Sequence, residues 1–271
     1  EEDTIRLYHT IYEPTYNKYL NKYNPENDAD IIVDTNIIEN PRIIDSKKPL
    51  IIIECNKCQK QFPTNIRILR CPNCGGDLEF EIKGQIDFEK IINKDENSMW
   101  RYKDILPIKK EYIVSDHEGN TPVIYLEDIS KKYDIKFYVK LESENPTGTF
   151  KDREASFVIS RSKELGQNDI VLQSTGNTGI AITYYSSLAE MRSYFFGPLL
   201  SDYKLIMPNK SKNAKIILVD GDPVDIKSLA TDFSLMHNFP KISPFYERCE
   251  ANVTLGYEIA EAMLNNKLPE F

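Results

Sequence analysis

The sequence has no apolar run approaching the roughly 20 residues that a membrane-spanning helix needs. Its first ten residues, EEDTIRLYHT, have neither the basic start nor the apolar stretch of a secretory signal. Basic residues are in deficit: 34 Lys and Arg stand against 42 Asp and Glu, a formal charge of −8 with a pI near 5.1. A protein whose main partner is a nucleic-acid backbone or an anionic membrane needs clustered positive charge, so this balance argues against both classes. His9, His117 and His237 are scattered, and an isolated histidine is more often structural or exposed than catalytic. Five cysteines are too few and too unevenly spaced for the disulfide framework of a secreted domain. Together these deficits point to the cytosol. No Met opens the chain, and it stops at AMLNNKLPEF just after a helix-like segment, so both ends are expected to be cut.

A length of 271 residues with 41% hydrophobic content supports one large or two ordinary domains with a filled core. Four of the cysteines form a pair of pairs: Cys55 and Cys58 in CNKC, Cys71 and Cys74 in CPNC, with twelve residues between. Such pairs can set four thiolates tetrahedrally around one ion, each pair turning tightly so that both sulfurs point inward. Pro72, Gly75 and Gly76 fit the second turn, which needs fixed or positive φ. With every ligand supplied by protein, the expected metal is a structural zinc. A nucleic-acid-binding ribbon and a redox dithiol are the competing readings. Lys57, Lys60, Arg67, Arg70 and Lys83 are offset by Glu54, Asp77, Glu79 and Glu81, which disfavours the former, and a redox site would use a single pair near a βαβ pattern. Cys249, alone in RCEAN, is expected to be a buried small residue.

Residues 1–50 carry possible strands at IIV (31–33) and PLIIIE (49–54) but no chemical motif, and are read as an extension of unknown role. Residues 51–84 form the zinc ribbon. A polar connector opens the region 85–271; its Trp100, the only tryptophan, and the many tyrosines are expected to be core and interface residues. Beyond residue 120 strands alternate with helices of ten or more residues. Strands are expected at KFYVKLE, DIVLQ, RSYFF and KIILVDG, and helices at 152–165, 178–190, 223–233 and 252–264. The pattern predicts an α/β fold with an open, mainly parallel sheet and flanking helices, whose ligands bind at the carboxyl ends of the strands.

Two loops carry the chemistry. In ENPTGTFKDREASF, Lys151 follows a turn enforced by Pro146 and Gly148 and opens a helix. The macrodipole opposes a cation at that position, so a surface lysine there goes against local preference. An amine whose pKa is lowered by that field and by partial burial would be the better nucleophile toward an aldehyde. In VLQSTGNTGIAI, Ser174, Thr175, Gly176, Asn177 and Thr178 lie where a strand gives way to a helix. Such a loop offers backbone N–H groups and hydroxyls to a carboxylate or phosphate, although it also fits an ordinary βα turn. It matches neither a dinucleotide fingerprint nor a P-loop. Asp152 and Arg153 are expected to cap the helix and pair on its surface.

Taken together, NPTGTFKDR followed by STGNTG resembles the fold type II family of pyridoxal-phosphate enzymes, nearest to the threonine synthases. MWRYKDILPI, GNTPVIYLEDISKKYDIKFYVKLE, YKL (203–205) and GYEIAEAM fall in the family's order, and zinc-ribbon-bearing members exist. The resemblance covers roughly residues 51–271 and implies a tryptophan synthase β-like fold, pyridoxal 5'-phosphate as cofactor, a small amino-acid substrate and a homodimer. It implies that Lys151 holds the cofactor covalently and moves the α-proton, and that Asn177 hydrogen-bonds the cofactor's 3′-oxygen. Ser174, Thr175, Gly176 and Thr178 would grip the substrate carboxylate.

Three departures shape the expectation. The family's glycine-rich phosphate loop belongs beyond the last helix, where this chain stops. Glu154 replaces the glycine usual after KDR, which alters substrate preference or raises the pKa of the lysine. The family's NPYRLEG-like segment, whose arginine helps hold a substrate phosphate, reads SPFYERCEAN here, with Arg248 shifted. Phosphohomoserine and a serine, phosphoserine or acylated serine therefore both stand as substrates, for β/γ-elimination or replacement. A non-catalytic scaffold or binding subunit of the same fold is the alternative.

Overall fold

A computed structural model describes residues 10, 13–23, 29–37, 41–199, 213–242 and 245–265. The YKL segment, His9 and Ser243–Pro244 lie outside the described residues. Two compact units emerge, one of Glu1–Leu50 with Ile82–Ile86 and the other of Ile51–Glu81 with Asp87–Phe271. In the first, helix α1 (Glu13–Tyr23) precedes an antiparallel pair, β1 (Ile31–Asp34) and β2 (Arg42–Ser46), whose register shifts between Ile32 and Val33.

The larger unit begins with the cysteine ribbon. Strands β3 (Leu50–Cys55), β4 (Gln61–Phe62) and β5 (Leu78–Lys83) form a sheet in the order β4-β3-β5. A short helix α2 (Phe88–Ile91) follows, and then a 3-10 stretch, Met99–Ile105. Trp100 and Tyr102 are buried as expected, and Met99, Ile105 and Leu106 are buried with them, which corrects the expectation of a polar connector. The Trp100 ring stacks on Phe157 at 6.3 Å between centroids, and its indole N–H donates to Glu118 (2.8 Å) and Ser156 (2.9 Å). A buried indole needs such acceptors, and they fix where this segment enters the core. Next come β6 (Val123–Tyr125) and its antiparallel partner β7 (Tyr138–Lys140), with helix α3 (Glu127–Tyr133) between them.

The remainder is the expected α/β alternation: α4 (Lys151–Glu164), β8 (Asp169–Gln173), α5 (Asn177–Leu188), β9 (Arg192–Pro198), β10 (Ala214–Val219), α6 (Pro223–His237) and α7 (Phe245–Leu264). Strands β10-β9-β8 form a parallel sheet. Helix α7 begins at Phe245, seven residues earlier than the periodicity from Asn252 indicates, because FYERCEA contains no helix breaker. Helix α6 starts in a reciprocal cap. The Asp222 carboxylate accepts from the amides of Val224 (2.7 Å) and Asp225 (3.0 Å), while Asp225 accepts from that of Asp222 (3.1 Å).

Strand β8 is covered on both faces, which its uninterrupted apolar run requires. Ile170 and Leu172 face the cluster containing Val158, Ile159, Ala181 and Phe195; Val171 faces the opposite cluster with Phe196, Ile226 and Ala230. Each fully buried side chain of this size contributes about 1.5–3 kcal/mol. Helix α5 can lie this close only because residue 179 lacks a side chain: a Cβ there would come within 2.3 Å of the Phe195 ring. Gly179→Ala is therefore expected to destabilise the fold by about 1–3 kcal/mol, measured as a lower denaturant midpoint.

Candidate active site and metal cluster

Lys151 is the first residue of α4 and Asn177 the first residue of α5, so both sequence motifs lie at helix N-termini beside the parallel sheet. The two loops meet at Thr149. Its hydroxyl lies 3.5 Å from the Asn177 side-chain amide, which donates to it, and accepts from the Lys151 backbone N–H at 3.4 Å. Asp152 holds the turn ahead of the lysine by accepting from the amide (3.1 Å) and hydroxyl (2.8 Å) of Thr147. Burial pushes its carboxyl up to about 6, against the lowering effect of those donors.

In the second loop, the Ser174 hydroxyl accepts from the amides of Gly176 (3.2 Å) and Gly179 (3.0 Å), fixing the backbone across the start of α5. The N-cap of α5, Gly176, has no side chain to cap the helix, and the Ser174 hydroxyl meets the first turn at the Gly179 amide. A Cβ at Gly176 would meet nothing within 4 Å, so open space lies against the positive end of the helix. Thr175 and Asn177 are exposed, and Ser174 and Thr178 half-buried. The donor set thus comprises a primary amine, a side-chain amide, hydroxyls and a helix N-terminus. These fit an aldehyde cofactor with an anionic ring oxygen and a carboxylate-bearing substrate.

Glu154, the residue that departs from the family pattern, is buried against the lysine. Its Oε1 accepts from Lys151 Nζ (2.6 Å) and from the Asn252 amide (2.9 Å), and its Oε2 accepts from Arg248 Nε (2.8 Å). Burial raises the carboxyl, but these donors outweigh it and hold the group below its usual range. The Lys151 ammonium also lies over the Phe150 ring, 4.1 Å from its centroid. Arg248, considered above for a substrate phosphate, spends its Nε on Glu154.

The structure corrects the surface placement of Asp152 and Arg153, since both are fully buried. The Arg153 guanidinium forms paired hydrogen bonds to Glu142 (2.8 and 2.8 Å) and Glu258 (2.6 and 2.9 Å), and Lys140 reaches Glu258 at 2.6 Å. Both carboxyls lie below their ordinary range: burial opposes this, and Arg153 overcomes it. Sequence reasoning also missed Glu118, fully buried, whose carboxylate accepts from Trp100, Ser115, Tyr185 and the Asp116 amide. Burial raises that carboxyl. The signal that could have found it is its position between buried aromatic donors, which one sequence does not display. Cys249 is exposed, not buried, because α7 extends back past it and turns it outward.

The four ribbon thiols converge. Their sulfurs all lie within 4.8 Å of one another, with Cys55–Cys74 at 3.5 Å and Cys58–Cys71 at 3.6 Å. Four sulfurs each about 2.3 Å from one ion stand roughly 3.8 Å apart in a tetrahedron, so the cluster fits a metal. The two knuckles repeat one hydrogen-bond pattern. Cys55 N–H donates to Lys60 and Gln59 N–H to Cys55; Cys71 N–H donates to Gly76 and Gly75 N–H to Cys71. Positive φ falls at the matching positions, Gln59 (57°) and Gly75 (70°). At Gly76 a Cβ would lie 2.9 Å from the Cys55 sulfur, so the thiol packs where a side chain would stand.

Arg67, counted above among the ribbon's basic residues, points inward. It pairs with the fully buried Glu247 (3.0 and 2.9 Å) and donates to Ser162 and Gln167. Arg161 of α4 donates to the carbonyls of Thr64 and Ile66. These contacts fasten the ribbon to α4 and α7 and remove Arg67 from any nucleic-acid-binding face.

Comparison with known proteins gives a family match. Residues 114–269 match the family model described as pyridoxal-phosphate dependent enzyme. The chain is 36% identical to the threonine synthase of Methanocaldococcus jannaschii over 231 residues, 80% of this chain and 55% of that protein. It is 30% identical to that of Methanosarcina acetivorans over 229 residues, with the same shares covered. The chain thus spans about half the length of these curated relatives. Among solved structures, holo diaminopropionate ammonia lyase from Escherichia coli superposes with a TM-score of 0.53 at 14% identity, covering 82% of this chain and 56% of that one, and so shares the fold.

Proposed function

The chain belongs to the pyridoxal-phosphate dependent enzyme family, and from that premise we propose that it serves a lyase or transferase of the threonine synthase type acting on an amino-acid substrate. The observation that carries this reading is the meeting of Lys151 and Asn177 at Thr149, at two adjacent helix N-termini. Pyridoxal phosphate, when bound, supplies an electron sink for the charge left at Cα. The residues of this chain do the rest. Lys151 holds the cofactor and moves the α-proton, Asn177 orients the ring oxygen, and Ser174, Thr175, Thr178 and the Gly176 backbone hold the substrate carboxylate at the positive end of α5.

Elimination or replacement at the β or γ carbon follows from the same arrangement. Addition of pyridoxal phosphate is expected to give a visible absorbance band that borohydride fixes to Lys151, and a screen then compares phosphohomoserine with serine, phosphoserine and acylated serine. A protein that takes up no cofactor sinks the proposal and favours the scaffold reading.

We assign 51–84 to a structural zinc ribbon and 85–271 to the catalytic region, within a cytoplasmic homodimer; the homodimer follows the family resemblance. Four cysteines gathered in one cluster, in place of a disulfide framework, support a reducing compartment. No helix among the described residues is long and apolar enough to cross a membrane. Elemental analysis is expected to find one zinc per chain. Cys71→Ser is expected to lose it and to lower the melting temperature, since a closed four-thiolate site contributes its binding energy to folding; retention of zinc by that variant would contradict the assignment.

A further inference from the structure

We infer that Glu154 is a positioning residue for Lys151: its carboxylate holds the free amine in one place and remains a satisfied anion when the amine leaves it. The inference rests on the proposed role of Lys151 as the imine-forming amine.

Three observations carry it. Glu154 is 2% exposed, a depth at which a carboxylate is retained only with partners. Its contact with Lys151 Nζ is 2.6 Å, and the ammonium is held from a second side by the Phe150 ring. The remaining donors, Arg248 Nε and the Asn252 amide, come from α7 and involve neither Lys151 nor its loop. A carboxylate that depended on the lysine alone would be stranded once the amine became an imine. Glu154 is not stranded, because one full charge and one amide N–H stay with it.

The chemistry gives this arrangement a consequence. An amine attacks an aldehyde through its lone pair, so the ammonium paired to Glu154 must first leave its ion pair and give its proton to solvent. A C–N bond then forms, and the carbonyl oxygen departs as water. The pair therefore slows attack by the resting lysine while fixing where it starts from. Lys140 provides an internal reference: its side chain is 11% exposed against 18% for Lys151, and it too is ion-paired, but to Glu258, within the Arg153 cluster.

The test is reductive methylation of the cofactor-free full chain with formaldehyde and a borane at fixed pH, read by peptide mass spectrometry. Glu154→Gln keeps the shape and removes the charge. It is expected to raise the labelling rate of Lys151 severalfold relative to Lys140, because the amine then has no anionic partner to leave before it attacks. Glu154→Asp, which restores the charge, is expected to return the rate toward that of the unaltered chain. Equal Lys151 rates in all three proteins would overturn the inference, as would a parallel rise at Lys140, which reports general loosening. Uptake of pyridoxal phosphate by the unaltered chain is measured separately. Uptake with equal labelling rates overturns the positioning alone; no uptake with the labelling difference intact overturns the function and upholds the hold on the amine.

Discussion

Lys151→Ala is expected to abolish covalent retention of pyridoxal phosphate and to lower turnover by about a thousandfold or more, because one side chain supplies both the nucleophile and the proton carrier. The expected readouts are loss of the visible band and of borohydride-trapped cofactor on the 151–164 peptide. Asn177→Ala is expected to keep the covalent link and shift the band, since it removes only a donor to the ring oxygen. A Lys151→Ala protein that retains trapped cofactor would show that another amine does the work. The fold is expected to survive the substitution, because Glu154 keeps Arg248 and Asn252.

Arg153→Met is expected to have the largest effect on stability. It leaves Glu142 and Glu258 without the guanidinium that neutralises them, and breaking a buried pair from one side costs about 3–5 kcal/mol. For a chain of this size that corresponds to a fall of roughly 6–20 °C in melting temperature. The pH dependence has a definite sign. Both carboxyls titrate below their ordinary range in the folded state, so the stability they contribute is present above about pH 4.3, the unfolded glutamate value, and is lost as pH falls through the folded values. The gap between the two proteins should therefore be widest near neutral pH and narrow in acid. A gap that stays constant down to pH 3 would rule out charge stranding as the cause.

Helix α4 shows where sequence reading stops. Asp152, Arg153, Glu154, Ser156, Ser160 and Arg161 look like a solvated face, yet residues 152–162 are buried all round. Asp152 is held locally by Thr147, but the others are matched by partners far along the chain: Arg153 by Glu258, Glu154 by Arg248, Arg161 by Thr64 and Ile66, Ser156 by Trp100 and Ser160 by Val114. Burial of a polar side chain depends on whether a donor or acceptor meets it. That is a property of packing, and no periodicity carries it.

Local rules were enough elsewhere. Alternating strand and helix patterns, the paired CxxC spacing, Lys151 after its turn and the STGNTG loop at a helix start were legible because each depends on contacts within a few residues. Tertiary structure alone decided that Thr149 joins the two motifs, that Arg67 fastens the ribbon to α4, and that Arg248 and Asn252 of α7 hold Glu154 beside the lysine. Those outcomes depend on which distant groups arrive at a shared point, and only the folded chain sets the distance between them.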